Sequence, residues 1–409
     1  MRRLANLYIL LFVIDGALSL GAEWLAFQGL PDAGLAPLRV VINQIVIALS
    51  LVIYAALAID RRLPKRILLP LCGYACWSAL ALWPLSGVID RAELPLVAAA
   101  AQLGLVALLL VFRRGRLLLP EAAFRSPLFS WRNTLWFTLI NLLLLPVLLV
   151  FGTLALANVY LESQTAGFLR ISPVGIYMAE RSYQRGTQDI RLAGMMHIGK
   201  ADYYQNLTES IPTEETIIMA DGVTDRDGLL EHDFDYAQLA RLLGLRSQLT
   251  MQIDGRRVAL ENLGERTSIR GGQPDIALAD IDLSRFDPQT IEFLNVLGQT
   301  LFGDASLPAG LTQYNDWVND NMTPERIETV MTDLIEKRNA SLIAGMRRAL
   351  PYYDTIIIPW GAMHMPGIQA AVLQDGFVLQ TTRERLSLDF RQLPYDQLWQ
   401  ILSRLGQKD

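Results

Sequence analysis

The stretch Thr355-Ile356-Ile357-Ile358-Pro359-Trp360-Gly361-Ala362-Met363-His364-Met365-Pro366-Gly367 decides the class of fold. Thr355–Trp360 is uncharged and rich in β-branched residues, and reads as a buried strand. Gly361 then gives the backbone freedom to turn at the strand end. His364 follows the turn, so it stands above the sheet rather than in its body. Ile368–Leu373 is helical and Phe377–Thr381 reads as another strand. Strand, turn and helix in this order are the unit of an α/β domain.

Working outward, the same local frame occurs earlier. Gly194-Met195-Met196-His197 follows the apolar strand Ile190–Met196 and precedes a helix over Asp202–Ser210. Thr216–Ala220 is a further strand and ends in Asp221-Gly222. Tyr236–Leu243 and Pro288–Phe302 are helical. A long helix runs from about Pro324, well placed behind Thr323, to Leu350. Leu249–Ile253 and Arg257–Leu260 flank Asp254-Gly255, which signals a hairpin turn. Ile276–Leu283 reads as a strand that ends in Asp280 and Asp282, of which at most one is expected to face a common site and one to begin a turn. The alternation from about Gly167 onward predicts an α/β domain with a central sheet, whose sites gather beyond the strand ends.

The first part of the chain is different. The 409 residues are 52% hydrophobic and 19% charged, below the ~25% charged of ordinary soluble domains. Residues 1–156 hold 13 Lys and Arg against 7 Asp and Glu, and the remainder 23 against 34. That acidic balance excludes a nucleic-acid-binding C-terminal part. Five apolar stretches, Leu4–Leu30, Leu38–Ile59, Ile67–Leu85, Leu94–Phe112 and Leu135–Leu156, are long enough to cross ~30 Å of hydrocarbon. The expected layout is therefore a five-span α-helical membrane module over 1–156, in a lipid bilayer, followed by an α/β domain over 157–409.

Arg2, Arg3, Arg61, Arg62, Lys65, Arg66, Arg113, Arg114, Arg116, Arg125 and Arg132 fall on one side of five alternating spans, with only Arg39 and Arg91 on the other. The positive-inside rule puts the N-terminus in the cytoplasm, in a bacterial inner membrane, and residues 157–409 outside. Asp15 and Glu23 lie inside the first span. Cys72 and Cys76 are the only cysteines, one helical turn apart in the third span, and read as small buried residues. The outer domain has none, so a thiol nucleophile is excluded there.

All three histidines lie in the outer domain. His197 and His364 share the repeated GxxH frame, and imidazole there either ligates a metal or transfers protons. His232, in the acidic run Glu231–Asp235, reads as solvated. Asp221 is a ligand, a base or a turn-former before Gly222. Arg338 and Asn339 lie on the long helix beside Glu336 and Lys337. That helix face reads as solvated, or Arg338 orients a carboxylate or binds an anionic group.

These residues, in this order, resemble the TraB/Tiki superfamily, with its GumN and PrgY proteins, distantly similar to erythromycin esterases. The resemblance covers about Ile190 to Leu379 and rests on the two GxxH segments, Asp221–Arg226 and the Glu336/Arg338/Asn339 helix. It implies an α/β fold with both GxxH loops on one site, and an extracytoplasmic, membrane-tethered, metal-dependent peptidase acting on a peptide or protein substrate. His197, His364 and Asp221 would then hold a divalent ion (manganese, cobalt or zinc), with Asp221 and Arg338 catalytic and Arg338 and Asn339 binding substrate. Asp221 stands where the family has glutamate, one methylene longer. The esterase relatives imply a metal-free alternative in which histidine activates water. A non-enzymatic sensor that binds metal or ligand at the same site is the third reading.

Overall fold

The computed structural model describes the chain except residues 31–33, 90–92, 233, 235, 237–239, 241–243, 249–250, 252, 266–271, 304–306, 397–398 and 400–409. The chain divides into two compact units, Met1–Val159 and Tyr160–Asp409.

The first unit is helical: α1 (Arg2–Phe27), α2 (Leu35–Ile59), α3 (Lys65–Ser78), α4 (Leu94–Phe112) and α5 (Trp131–Gln164). Among the described residues, α1, α2, α4 and α5 are long and apolar enough to cross a membrane. The third expected span is not one helix. With 14 residues, α3 is only about 21 Å long, and Pro70 interrupts its hydrogen bonding. Beyond it the chain continues in turns, and Trp83 packs edge-on against Phe151 of α5 at 5.0 Å. At the other end of α3, Lys65 bonds Asn133 of α5. The two contacts lie 18 residues apart on α5, about 27 Å along its axis, and α3 with the turns after it lies against that length. Within these turns Leu82 and Trp83 are buried.

The cationic segments meet at one end of this bundle. Arg2 pairs with Glu121 at 3.5 Å. The Leu119 amide donates to Asn6 at 2.7 Å, and Asp60 forms an antiparallel bridge with Phe129. Cys72 and Cys76 are free thiols.

The second unit is built on an eight-stranded sheet. Its strands are β1 (Leu169–Ile171), β2 (Gly175–Arg185), β3 (Gln188–Met195), β5 (Thr216–Ala220), β7 (Arg256–Val258), β8 (Asp275–Leu278), β9 (Thr355–Gly361) and β10 (Val378–Asp389). A two-residue pair, β4 (Ile198–Gly199) and β6 (Arg246–Ser247), lies apart. The order is β1-β2-β3-β9-β5-β8-β7, with β10 added against β2. β3, β9, β5, β8 and β7 are mutually parallel. The helices are α6 (Ala201–Glu209), α7 (Pro288–Phe302), α8 (Leu307–Asn321), α9 (Pro324–Met331), α10 (Arg338–Ala349) and α11 (Met365–Gln374), with a π-helical turn over Thr332–Lys337 between α9 and α10. Ile356, Ile358, Trp360, Ile217 and Leu192 are fully buried in the central strands. Each aliphatic side chain so buried contributes roughly 1.5–3 kcal/mol.

Several expectations need correction. No hairpin forms at Asp254-Gly255 among the described residues. β7 instead runs parallel to β8, and Gly255 is required by close approach, since a Cβ there would lie 2.7 Å from Ile276. The strand expected over Ile276–Leu283 ends at Leu278, which leaves Asp280 and Asp282 on the loop beyond it. The helix expected over Tyr236–Leu243 falls largely outside the described residues. β1, β2 and α8 were not anticipated, and β10 runs eight residues beyond the expected Thr381.

Candidate active site

Four parallel strands deliver the candidate residues to one edge of the sheet. β3 leads to His197, β5 to Asp221, β8 to Asp280, and β9 to Gly361 and His364. The register sets Met195 opposite Gly361, so the two GxxH frames leave neighbouring strands almost level. Two tyrosines of α6 fix the first frame. Tyr203 donates its hydroxyl to the Gly194 carbonyl at 2.6 Å and Tyr204 to that of Met196 at 2.7 Å. Met365–Gln374 follows the second frame directly, with Pro366 in its first turn, where no amide donor is needed.

The centre is a guanidinium between two carboxylates. Arg338 Nε donates to Asp280 Oδ1 at 3.0 Å, and its Nη2 donates to Asp280 Oδ2 at 2.7 Å and Asp221 Oδ1 at 2.5 Å. The guanidinium also lies over the Trp360 ring at 5.4 Å, whose indole N–H donates to the Met219 carbonyl at 2.9 Å. Backbone amides complete the shell: Gly222 N–H and Ile281 N–H donate to Asp280 at 3.2 and 2.9 Å. Burial raises the Asp221 pKa to about 6 against the pull of Arg338, with Asp280 adding to the rise and a hydrogen bond from the Gly361 amide opposing it. Burial alone would lower the Arg338 pKa, but Asp280 and Asp221 outweigh it and raise it.

His364 is buried and its tautomer is fixed by its neighbour. Asn339 Nδ2 donates to the His364 carbonyl at 3.2 Å, so Asn339 Oδ1 faces His364 Nδ1, 2.8 Å away, and must accept from it. The Nε2 lone pair is left open. Gly367 makes room for this arrangement, because a Cβ there would lie 2.7 Å from Asn339 Nδ2. The ring stands edge-on to Trp360 at 5.1 Å. Burial first, then the Arg338 charge and His197, push the His364 pKa down to about 3, with Asp280 opposing. It is therefore neutral through the physiological range.

His197 stacks face to face on Tyr236 at 4.8 Å. The residue is exposed overall, yet the surrounding protein still displaces water from the ring. That crowding lowers its pKa, Arg338 lowers it further, and a hydrogen bond to Gln248 works the other way.

The structure thus brings His197, His364, Asp221, Arg338 and Asn339 to one place, and adds Asp280, Gly222 and Trp360. Asn339, expected to bind substrate, bonds and orients His364. Of the two aspartates on one run, Asp280 joins the site and Asp282 does not. Asp282 accepts from Thr224 and Ser284 at 2.6 and 2.7 Å, and these bonds hold its pKa well below the usual carboxylate range. His232 bonds Gln299 of α7, away from this site. Glu336 is exposed.

The donor set fits a divalent ion poorly. Asp221, the third ligand implied by the resemblance, is bonded to Arg338. Among the described residues no group of three His, Cys, Asp or Glu is placed to hold a metal. What the arrangement can do is present the neutral His364 Nε2, a weak proton acceptor with its pKa pushed down to about 3, beside a fixed positive charge. No family model matches the chain, and no curated protein or solved structure matches it.

Proposed function

We propose that the second unit is a hydrolase that works without a protein-held metal ion, with His364 as proton acceptor and Arg338 as the fixed positive group. One observation carries this reading: Asn339 locks the His364 Nδ1–H, which leaves a neutral Nε2 aimed away from its holder. A water bonded to Nε2 would give up its proton as its oxygen attacks a substrate carbonyl carbon, and the same proton would then pass to the leaving oxygen or nitrogen. Arg338 Nη1 makes no hydrogen bond among the described residues, and would face the developing oxyanion or a substrate carboxylate. Asp221 and Asp280 hold that guanidinium. Asp221 is thus a positioning residue here, rather than the ligand or base of the metal-dependent peptidase that the TraB/Tiki resemblance implies.

The reading extends to placement. The cationic segments at one end of the helical unit support a cytoplasmic N-terminus. A third crossing made by α3 together with the turns after it would put residues 157–409 outside.

Full-length protein assayed on ester and peptide substrate panels in the presence of a chelator tests the reaction. Turnover in chelator, lost by about 10²–10⁴-fold in His364→Ala, is the expected result. Turnover that appears only on adding manganese, cobalt or zinc would overturn the reading in favour of the metallopeptidase.

A further inference from the structure

The helical unit carries a groove that the reaction does not use. It lies between α2, α3 and α5 and encloses about 610 Å³. Its mouth is cationic. Lys65 and Arg132 both line it, with Lys65 held by Asn133 and Arg132 exposed with no ion pair among the described residues. Below them the wall turns apolar through Trp136, Ile140 and Leu144 of α5, with Leu69 of α3 opposite. Trp136, Ile140 and Leu144 are exposed.

We infer that this groove selectively holds one anionic phospholipid, with its phosphate at Lys65 and Arg132 and an acyl chain along α5. Two features commit it to that occupant. The first is charge: two cations at one end of an apolar trough complement an anionic headgroup on a hydrocarbon chain. The second is length. Arg132 and Leu144 are 12 residues apart, about 18 Å along the helix, which matches a headgroup contact plus one leaflet of a ~30 Å core. Trp136, one turn below the cations, sits where amphipathic rings favour the headgroup boundary. A soluble anion would satisfy the mouth but leave the apolar length unexplained. A zwitterionic lipid would fill the trough but bring its own cation against two others.

The test uses the full chain in vesicles of phosphatidylcholine and phosphatidylglycerol, with bromine on the acyl chains of one lipid or the other at equal mole fraction. Bromine quenches nearby tryptophan, and comparison with Trp136→Phe isolates the Trp136 signal. Brominated phosphatidylglycerol should quench that signal more strongly, with a local enrichment of about fivefold for each cation (about 1 kcal/mol each). Arg132→Gln should reduce the preference and Lys65→Gln/Arg132→Gln abolish it. Among the described residues Arg132 carries no ion pair, so its removal leaves the bundle intact and the readout interpretable. Equal quenching by the two lipids in the wild type would overturn the inference, as would a preference that survives the double variant.

Discussion

Each unit of this chain buries a carboxylate, and the two are satisfied in different ways. In the helical unit, Asp15 accepts from Asn43 at 3.2 Å and Gln102 at 2.9 Å, both on the same oxygen. Its Oδ1 is buried with no hydrogen-bond partner among the described residues. In the sheet unit, Asp280 is saturated by the Arg338 guanidinium and two backbone amides. The difference lies in where free amides exist. Within a helix the backbone donors are spent on its own carbonyls, so a carboxylate can be served only by side chains from other helices. At the ends of parallel strands the loops leave amides unspent, and Gly222, Ile281 and Gly361 supply them. Polar chemistry gathers at the sheet edge because the backbone helps to hold it.

Removing the shared cation gives the largest test of this contrast. Arg338→Met should destabilise the second unit by about 3–5 kcal/mol, because two buried carboxylates lose their counter-charge. Urea melts of the full chain followed by circular dichroism would measure it, and a loss below about 1 kcal/mol would show that the backbone amides suffice alone.

The histidine gives a pH-dependent test. Its folded pKa of about 3 lies below the unfolded value of 6.5, so the unfolded chain binds the extra proton between those limits. Stability from His364 is therefore present above pH 6.5 and lost on acidification towards 3, by up to about 1.4 kcal/mol per pH unit. Asp221 has the opposite sign. With a folded pKa of about 6 against 3.8, it stabilises at low pH and loses that contribution as pH rises from about 4 to 6. The two slopes oppose each other over that window. His364→Gln should expose the Asp221 slope, so that the variant becomes less stable from pH 4 to 6 while the wild type stays nearly flat. Parallel curves for the two proteins would contradict the assignment.

The smallest expected effect is at Asp15. Asp15→Asn keeps an oxygen for Asn43 and Gln102 and places an amide where Oδ1 has no partner. A change within about 1 kcal/mol is expected in detergent melts, whereas a loss of several would mean that the carboxylate has a partner of its own in the bilayer.

Much of this arrangement could be read from local sequence, and the rest could not for definable reasons. β5 and α7 fall at their expected limits because their signals are local. Pro288 opens α7, and Asp287 caps it by accepting from the Gln289 amide at 2.9 Å. β2 was missed because its charges look unsuited to a central strand. Their partners lie far along the chain: Glu180 pairs with Arg385 at 2.6 Å and Arg181 with Gln369 at 2.9 Å. The histidines were visible through their repeated frame. That Arg338 orients a carboxylate is legible as one reading, but its partners Asp280 and Asp221 are not, since they lie 58 and 117 residues away. Asn339 stands out in the sequence, but its bond to His364 is not legible, because only the crossing of α10 beneath the second GxxH turn brings the two together.

The π turn over Thr332–Lys337 has a consequence for how this unit tolerates change. Such a turn takes up one residue more than an α turn. Upstream of it, Arg326 donates to the Gln289 carbonyl at 3.1 Å and to Glu292 at 2.8 Å. Downstream, Arg338 and Asn339 enter the site. The surplus residue lies between an anchored half and a chemically committed half, so each keeps its own rotational setting about the common axis. The helix behaves as two keyed shafts joined by a compliant coupling. A change of length confined to the coupling can be absorbed there without turning either key.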